Sequence, residues 1–238
     1  MQTDLDELFA PLERLDSFVV GQLGQSLDGR IATATGHSHY INGSEDIRRL
    51  HRLRALADAV VVGAGTVAAD DPRLTVRKVE GSNPVRVALD PRGDLDPTRA
   101  VFTDRAAPTL WMQGIPAPGA LSSAATFDKP RVSPGVEVLH LPIASGGFEP
   151  IDVVAELRDR GLHRILIEGG GITVSRFLEA GVLDRLHISV APLLIGSGRP
   201  GITLPEIQTL DQAHRPPVRH FRLGSDVLFD LDLRPEGM

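Results

Sequence analysis

Four consecutive apolar residues, Ala59-Val60-Val61-Val62, run directly into Gly63-Ala64-Gly65-Thr66. A short apolar run bounded by a turn signal reads as a buried strand. The same pattern recurs at Arg164–Ile167, which runs into Glu168-Gly169-Gly170-Gly171-Ile172-Thr173. Two buried strands, each ending on glycines that open a helical segment, leave few folds available. Around them strand and helix signals alternate, which indicates an α/β fold with a mostly parallel sheet flanked by helices.

The first fifteen residues form an amphipathic lead, with Leu5, Leu8, Phe9 and Leu12 at helical spacing. The expected strands are Ser17–Leu23, Ala59–Val62, Pro84–Leu89, Val136–Leu141, Arg164–Ile167 and Leu186–Ala191. The expected helices are Glu45–Ala57 with Ser44 as N-cap, a short turn stopped by Pro72, Asp152–Asp159 and Thr173–Glu179. Val218–Leu223 and Val227–Leu233 flank Gly224-Ser225-Asp226 and read as a C-terminal antiparallel hairpin. Residues 114–134 are rich in Pro, Gly, Ala and Ser and read as a surface connection. The expected division is an N-terminal lead, 1–16, and one domain, 17–238.

Composition narrows function. The net charge of −6 and an aromatic content of 4% argue against a nucleic-acid partner. The absence of cysteine excludes disulfides, thiolate nucleophiles and cysteine-ligated metal, and suits a cytoplasmic setting. The acidic start, Met1-Gln2-Thr3-Asp4-Leu5-Asp6-Glu7, is not a signal peptide. No apolar run approaches the roughly 20 residues a bilayer requires.

The glycine turns carry the chemistry. Backbone amides freed by glycine and a helix N-terminus bind anions, and ligands of open α/β sheets sit at the carboxyl ends of the strands. Gly63-x-Gly65-x-x-Ala68 matches a dinucleotide fingerprint formally, but it also fits a plain strand-to-helix turn, because Pro72 cuts the helix short. Asp70-Asp71-Pro72 is a turn former or a carboxylate pair without an evident third ligand, and no metal site is expected. His37 and His39 read as loop residues. Of Arg48, Arg49, Arg52 and Arg54, most read as a solvated face, with Arg54 the candidate for an inward role. Arg92, just after a strand end, is a candidate partner for a cofactor 2′-phosphate.

Five motifs occur in order: Ser26-Leu27-Asp28-Gly29-Arg30-Ile31-Ala32; Val62 to Arg77 with Asp70-Asp71-Pro72-x-Leu74-Thr75-Val76-Arg77; Asn83-Pro84-Val85-Arg86-Val87; Ile167-Glu168-Gly169-Gly170; and Ala191-Pro192-x-x-Ile195-Gly196. Together they resemble the pyrimidine reductases of riboflavin biosynthesis, from about Ser17 to Leu233. The resemblance implies a dihydrofolate-reductase-like fold, NADPH as cofactor and a homodimer, with apolar surface expected around Leu186–Gly196. It implies reduction of a ribosylamino-pyrimidine 5′-phosphate to the ribitylamino compound, with hydride delivered to C1′ of the sugar.

By the same resemblance, Gly24, Tyr40, Gly63, Gly65, Thr66 and Asp70 are cofactor positions, and the Gly169, Gly170, Gly171, Ile172, Thr173 turn holds the pyrophosphate. Ser38, Arg54, Leu74 and Arg77 are substrate positions, the arginines near the sugar phosphate. Glu168 matches a carboxylate beside the ribose and, with Asp70, is a candidate catalytic group. Gln22 stands near the pyrimidine where bifunctional bacterial members carry lysine, which leaves open the amino and the deaminated forms of the base. A pterin-like or secondary-metabolite substrate on the same fold, or a nucleotide-binding module without turnover, are the alternative readings.

Overall fold

The computed structural model describes residues 2–39, 41–115, 133–144 and 147–234. The strands are β1 Phe18–Ser26, β2 Arg30–Thr33, β3 Ala59–Gly63, β4 Val85–Asp90, β5 Thr109–Ile115, β6 Val136–Pro142, β7 Arg164–Ile167, β8 Arg185–Ala191, β9 Gly198–Pro200, β10 Val218–Leu223 and β11 Asp226–Asp232. The helices are α1 Gln2–Glu13, α2 Ser44–Leu56, α3 Ala64–Asp70, α4 Ala100–Thr103, α5 Pro150–Asp159 and α6 Gly171–Glu179.

The apolar runs become interior strands because both of their faces are covered. One sheet orders β10-β11-β8-β1-β7-β3-β4-β5-β6. Its neighbours pair in parallel from β8 through β6, and β11 and β10 add antiparallel strands at one edge. This is the α/β architecture with a C-terminal hairpin that the sequence indicates. In β3, Val60 and Val62 pack into one core with Phe18, Val20 and Leu53. Ala59 and Val61 pack into the other with Ile165, Ile167 and Val174. Full burial of such side chains stabilises by about 1.5–3 kcal/mol each. Helix α1 joins the first core through Leu8, Phe9 and Leu12.

Several local expectations change. Thr109–Ile115 is a full interior strand between β4 and β6, although the sequence reading placed none there. Helix α2 begins at Ser44, and Gly43 is its N-cap, without a side-chain cap bond. The Gly43 amide instead donates to Asp226 Oδ2 at 2.7 Å, so the far hairpin turn supplies the acceptor. Arg49, assigned to a solvated face, is fully buried. Within Leu186–Gly196 the strand itself is interior, and Leu194, 74% exposed, is the large apolar side chain turned outward. Tyr40 and residues 116–132 of the Pro/Gly/Ala/Ser-rich stretch lie outside the described residues. Among the described residues no helix is long and apolar enough to cross a membrane.

A two-stranded strap, β2 with β9, lies beside the main sheet. Asp28 clips its ends together, accepting from the amides of Ile195 at 3.1 Å and Gly196 at 2.6 Å. The Ser26 hydroxyl and then these amides hold Asp28 down at about 2.

Candidate active site

Strands β3 and β7 are parallel neighbours, with Val61 opposite Ile167, so their carboxyl ends open side by side. The Glu168 amide donates to Val61 O at 2.8 Å, which carries this alignment one residue past the strand. The two glycine turns therefore meet. Thr66 Oγ1, on α3 after the first turn, accepts from the Gly170 amide of the second at 2.9 Å. Beyond them opens a cleft of about 770 Å³, bounded by Gln22 and Gly24 of β1, both glycine turns, Leu74, the strap residues Arg199 to Gly201, and Asn42.

The glycines have separate reasons to be glycine. Gly169 has φ +108°, outside the range of L side chains. A Cβ at Gly171 would strike the carbonyls of Gly201 and Pro200, so this residue lets the strap close over α6. Gly170 is the N-cap of α6, with φ −64°. At the first turn of α6 the amides of Gly171 and Ile172 have no partner within the helix. A Cβ at Gly24 would overlap the Asn42 carboxamide.

Arg54 and Glu168 form a planar fork at the cleft wall. Arg54 Nε and Nη2 donate to Glu168 Oε1 and Oε2, both at 2.7 Å. Their side chains are 9% and 8% exposed. Burial opposes the charge on Arg54, and Glu168 more than offsets it, holding the guanidinium above its ordinary value. Arg54 Nη1 also reaches Thr75 O at 3.2 Å. Arg77 Nη1 bonds Thr75 Oγ1 at 2.5 Å, so the two arginines converge on one residue. Partial burial and then the charges of Arg54 and Arg73 push Arg77 below its ordinary value. An anion beside Arg77 would relieve that repulsion.

Across the cleft Ser38 Oγ donates to Asp70 Oδ1 at 3.3 Å. Asp71 turns elsewhere and accepts from the Ala100 amide at 2.8 Å, so the carboxylate pair diverges. Ile172, 80% exposed, and Thr173 also line the opening.

The structure thus gathers Gln22, Gly24, Ser38, Arg54, Gly63, Gly65, Thr66, Asp70, Leu74 and Glu168 to Thr173 around one cleft. Arg77 stands beside it, joined through Thr75. Arg92 does not belong: its side chain is 80% exposed and pairs with Asp94 at 2.9 Å, because the turn after β4 carries it outward. Arg49 and Asp46 were missed. Their i,i+3 spacing on α2 was the available signal, and they form a buried pair at 2.7 Å.

Comparisons with known proteins agree with this geometry. The RibD C-terminal domain family matches residues 17–229. The 2,5-diamino-6-ribosylamino-4(3H)-pyrimidinone 5′-phosphate reductase of Methanothermobacter thermautotrophicus is 34% identical over 91% of this chain and 98% of its own length. The riboflavin biosynthesis protein RibD of Escherichia coli is 33% identical over 88% of this chain, which spans 58% of that protein. Among solved structures, the diaminohydroxyphosphoribosylaminopyrimidine deaminase/5-amino-6-(5-phosphoribosylamino)uracil reductase of Thermotoga maritima superposes with a TM-score of 0.73. It is 26% identical, with 96% of this chain and 59% of the other covered. Matched by that family model over residues 17–229, the chain belongs to the RibD C-terminal domain family.

Proposed function

We propose that this protein is the reductase of a ribosylamino-pyrimidine 5′-phosphate, using NADPH and yielding the ribitylamino compound. The observation that carries this reading is the meeting of two glycine turns, tied by Thr66 and Gly170, beside the Arg54–Glu168 fork in one cleft. The names of the archaeal and bacterial relatives favour it over another substrate or a module without turnover.

The residues present fit a dinucleotide. The amides at the start of α6, which have no partner within the helix, and the positive end of its dipole suit a pyrophosphate. In the facing turn, Gly63 and Gly65 present backbone without side chains. NADPH supplies the hydride when bound. Ser38, hydrogen-bonded to Asp70, closes the opposite lip. Arg77, with Arg54 behind it, takes the sugar phosphate through charge-assisted bonds. Glu168, held flat by Arg54, presents its remaining lone pairs as acceptors for a sugar hydroxyl, which orients C1′. Its part is to orient and to accept rather than to donate. Leu74 and the strap keep water from the reacting carbon.

A homodimer accompanies this reading, supported by the family resemblance and by exposed Leu194. The direct test is NADPH oxidation measured against the amino and the deaminated ribosylaminopyrimidine phosphates side by side. Turnover of one or both is expected, and turnover of neither refutes the reading.

A further inference from the structure

A row of polar side chains crosses the sheet in register beside the cleft. Gln22 on β1 stands opposite His187 on β8, His187 opposite Asp230 on β11, and Asp230 opposite Arg219 on β10. Arg49 reaches the row from α2 and has no exposed surface. Its Nε donates to Asp46 Oδ1 at 2.7 Å, its Nη1 faces His187 Nδ1 at 3.3 Å, and its Nη2 donates to Gln22 Oε1 at 2.6 Å.

A guanidinium has donors and no acceptor. The Gln22 atom it touches is therefore the carbonyl oxygen. Gln22 lines the cleft while its oxygen is bonded to Arg49, so what it offers a ligand is the Nε2 amide as donor. The same logic makes His187 Nδ1 an acceptor and places the ring proton on Nε2, 3.3 Å from Asp230 Oδ1. Burial holds His187 below its ordinary value, so the ring is neutral. Asp230 is fixed in turn by two bonds from Arg185, both at 2.8 Å, and two from Arg219, at 2.6 and 3.1 Å. Reversing the Gln22 carboxamide would set donor against donor at a buried contact with Arg49.

We propose that Arg49 is a positioning residue that fixes Gln22 as a hydrogen-bond donor toward the substrate base. The cleft then selects a heterocycle that presents an acceptor there, a ring carbonyl or an unprotonated ring nitrogen, and disfavours one presenting an exocyclic amine. This rests on the reductase reading above, and it names the polarity by which that site reads the base.

Gln22→Glu tests it most directly. The carboxylate keeps its bond to Arg49 as an ion pair but turns an acceptor toward the cleft. Binding of the amino and deaminated phosphates is measured by calorimetry and their turnover by NADPH oxidation. Gln22→Glu should weaken binding of the better ligand about ten- to a hundred-fold, or reverse the preference toward the amine-bearing base. NADPH affinity should stay within about twofold.

Affinities for both bases unchanged in Gln22→Glu refute the donor assignment alone. A parent that binds but does not turn over either compound refutes the reductase reading alone. A parent that binds neither refutes both. The role of Arg49 is read from a cycle of Gln22→Met, Arg49→Met and the double variant. Arg49→Met should raise KM when Gln22 is present and add nothing once Gln22 is Met, whereas independent, additive costs overturn positioning. Should Arg49→Met fail to fold, Gln22→Glu still decides, because it retains Arg49.

Discussion

The two glycine turns look alike in sequence and differ in what holds them. The second, after β7, is over-determined. Gly169 sits at φ +108°, Gly171 is packed under the strap, and the Gly170 amide is tied to Thr66. The first, after β3, is close at Gly63, where a Cβ would meet Thr173 Oγ1, and open at Gly65, where nothing lies within 4 Å of a Cβ. Its strain falls further along, on Asp71 at φ +42° and Leu74 at φ +56°, neither of which is glycine. Glycine in a turn therefore marks three different needs: backbone conformation, close packing within the protein, and space left for a ligand.

The largest expected effect follows from packing at the second turn. Gly171→Ala puts a methyl group against the backbone carbonyls of Gly201 and Pro200, where no flexible side chain can yield. Such overpacking should cost about 2–3 kcal/mol and lower the Tm by roughly 5–10 °C. Thermal melts that leave the variant level with the parent would break the claim that the strap rests on this residue.

Gly169→Ala should come next, and for a conformational reason. Left-handed backbone in a non-glycine residue costs about 1–3 kcal/mol, and the new methyl also meets Thr66 Oγ1. Because that hydroxyl ties the two turns together, NADPH affinity should fall along with stability. Stability lost without any change in calorimetric NADPH binding would show that the turns act separately.

Acid should distinguish the flanks of the two turns. The segment after the first turn is pinned where the Arg77 amide donates to His51 Nδ1 at 3.0 Å, a bond that needs a neutral ring. Burial, then the charges of Arg54 and Arg77, hold His51 down at about 4 from an ordinary 6.5. Between those values the unfolded chain takes up a proton that the folded protein refuses, so stability falls as pH falls from about 6.5 to about 4. His187 is shifted the same way and contributes its own share. His51→Asn, which keeps an acceptor without a titrating ring, should show a shallower loss of Tm across that window. Parallel Tm-against-pH curves for variant and parent would remove His51 from the account.

Much of this was legible because it rests on local chemistry. The buried runs, the α/β rhythm, the hairpin and the position of both glycine turns at strand ends follow from apolar periodicity and turn residues. What escaped the sequence depends on sheet order. β7 enters between β1 and β3, and that insertion alone sets Glu168 against Arg54, 114 residues away in the chain. Likewise Arg49 reads as one arginine among several until β1, β8 and β11 bring Gln22, His187 and Asp230 into register beneath it. Strand β5 was hidden because Leu110-Trp111-Met112 is brief and runs into a glycine- and proline-rich stretch.

The smallest effect bears most directly on why the first turn keeps its glycines. Gly65 lies inside α3, is exposed, and has open space where a side chain would stand. Glycine in a helix is less stable than alanine by roughly 0.5–1 kcal/mol, so Gly65→Ala should raise the Tm by about 1–4 °C. If this residue is glycine so that a cofactor can approach the backbone, the same methyl should weaken NADPH binding while it stabilises the ligand-free protein. Thermal melts and calorimetry on one variant read both quantities, and their opposite signs separate this glycine from Gly169, whose loss should lower both. A Gly65→Ala variant that is more stable and binds NADPH as tightly as the parent would show that the first turn needs no clearance at this position. The pyrophosphate would then be left to the α6 side of the cleft.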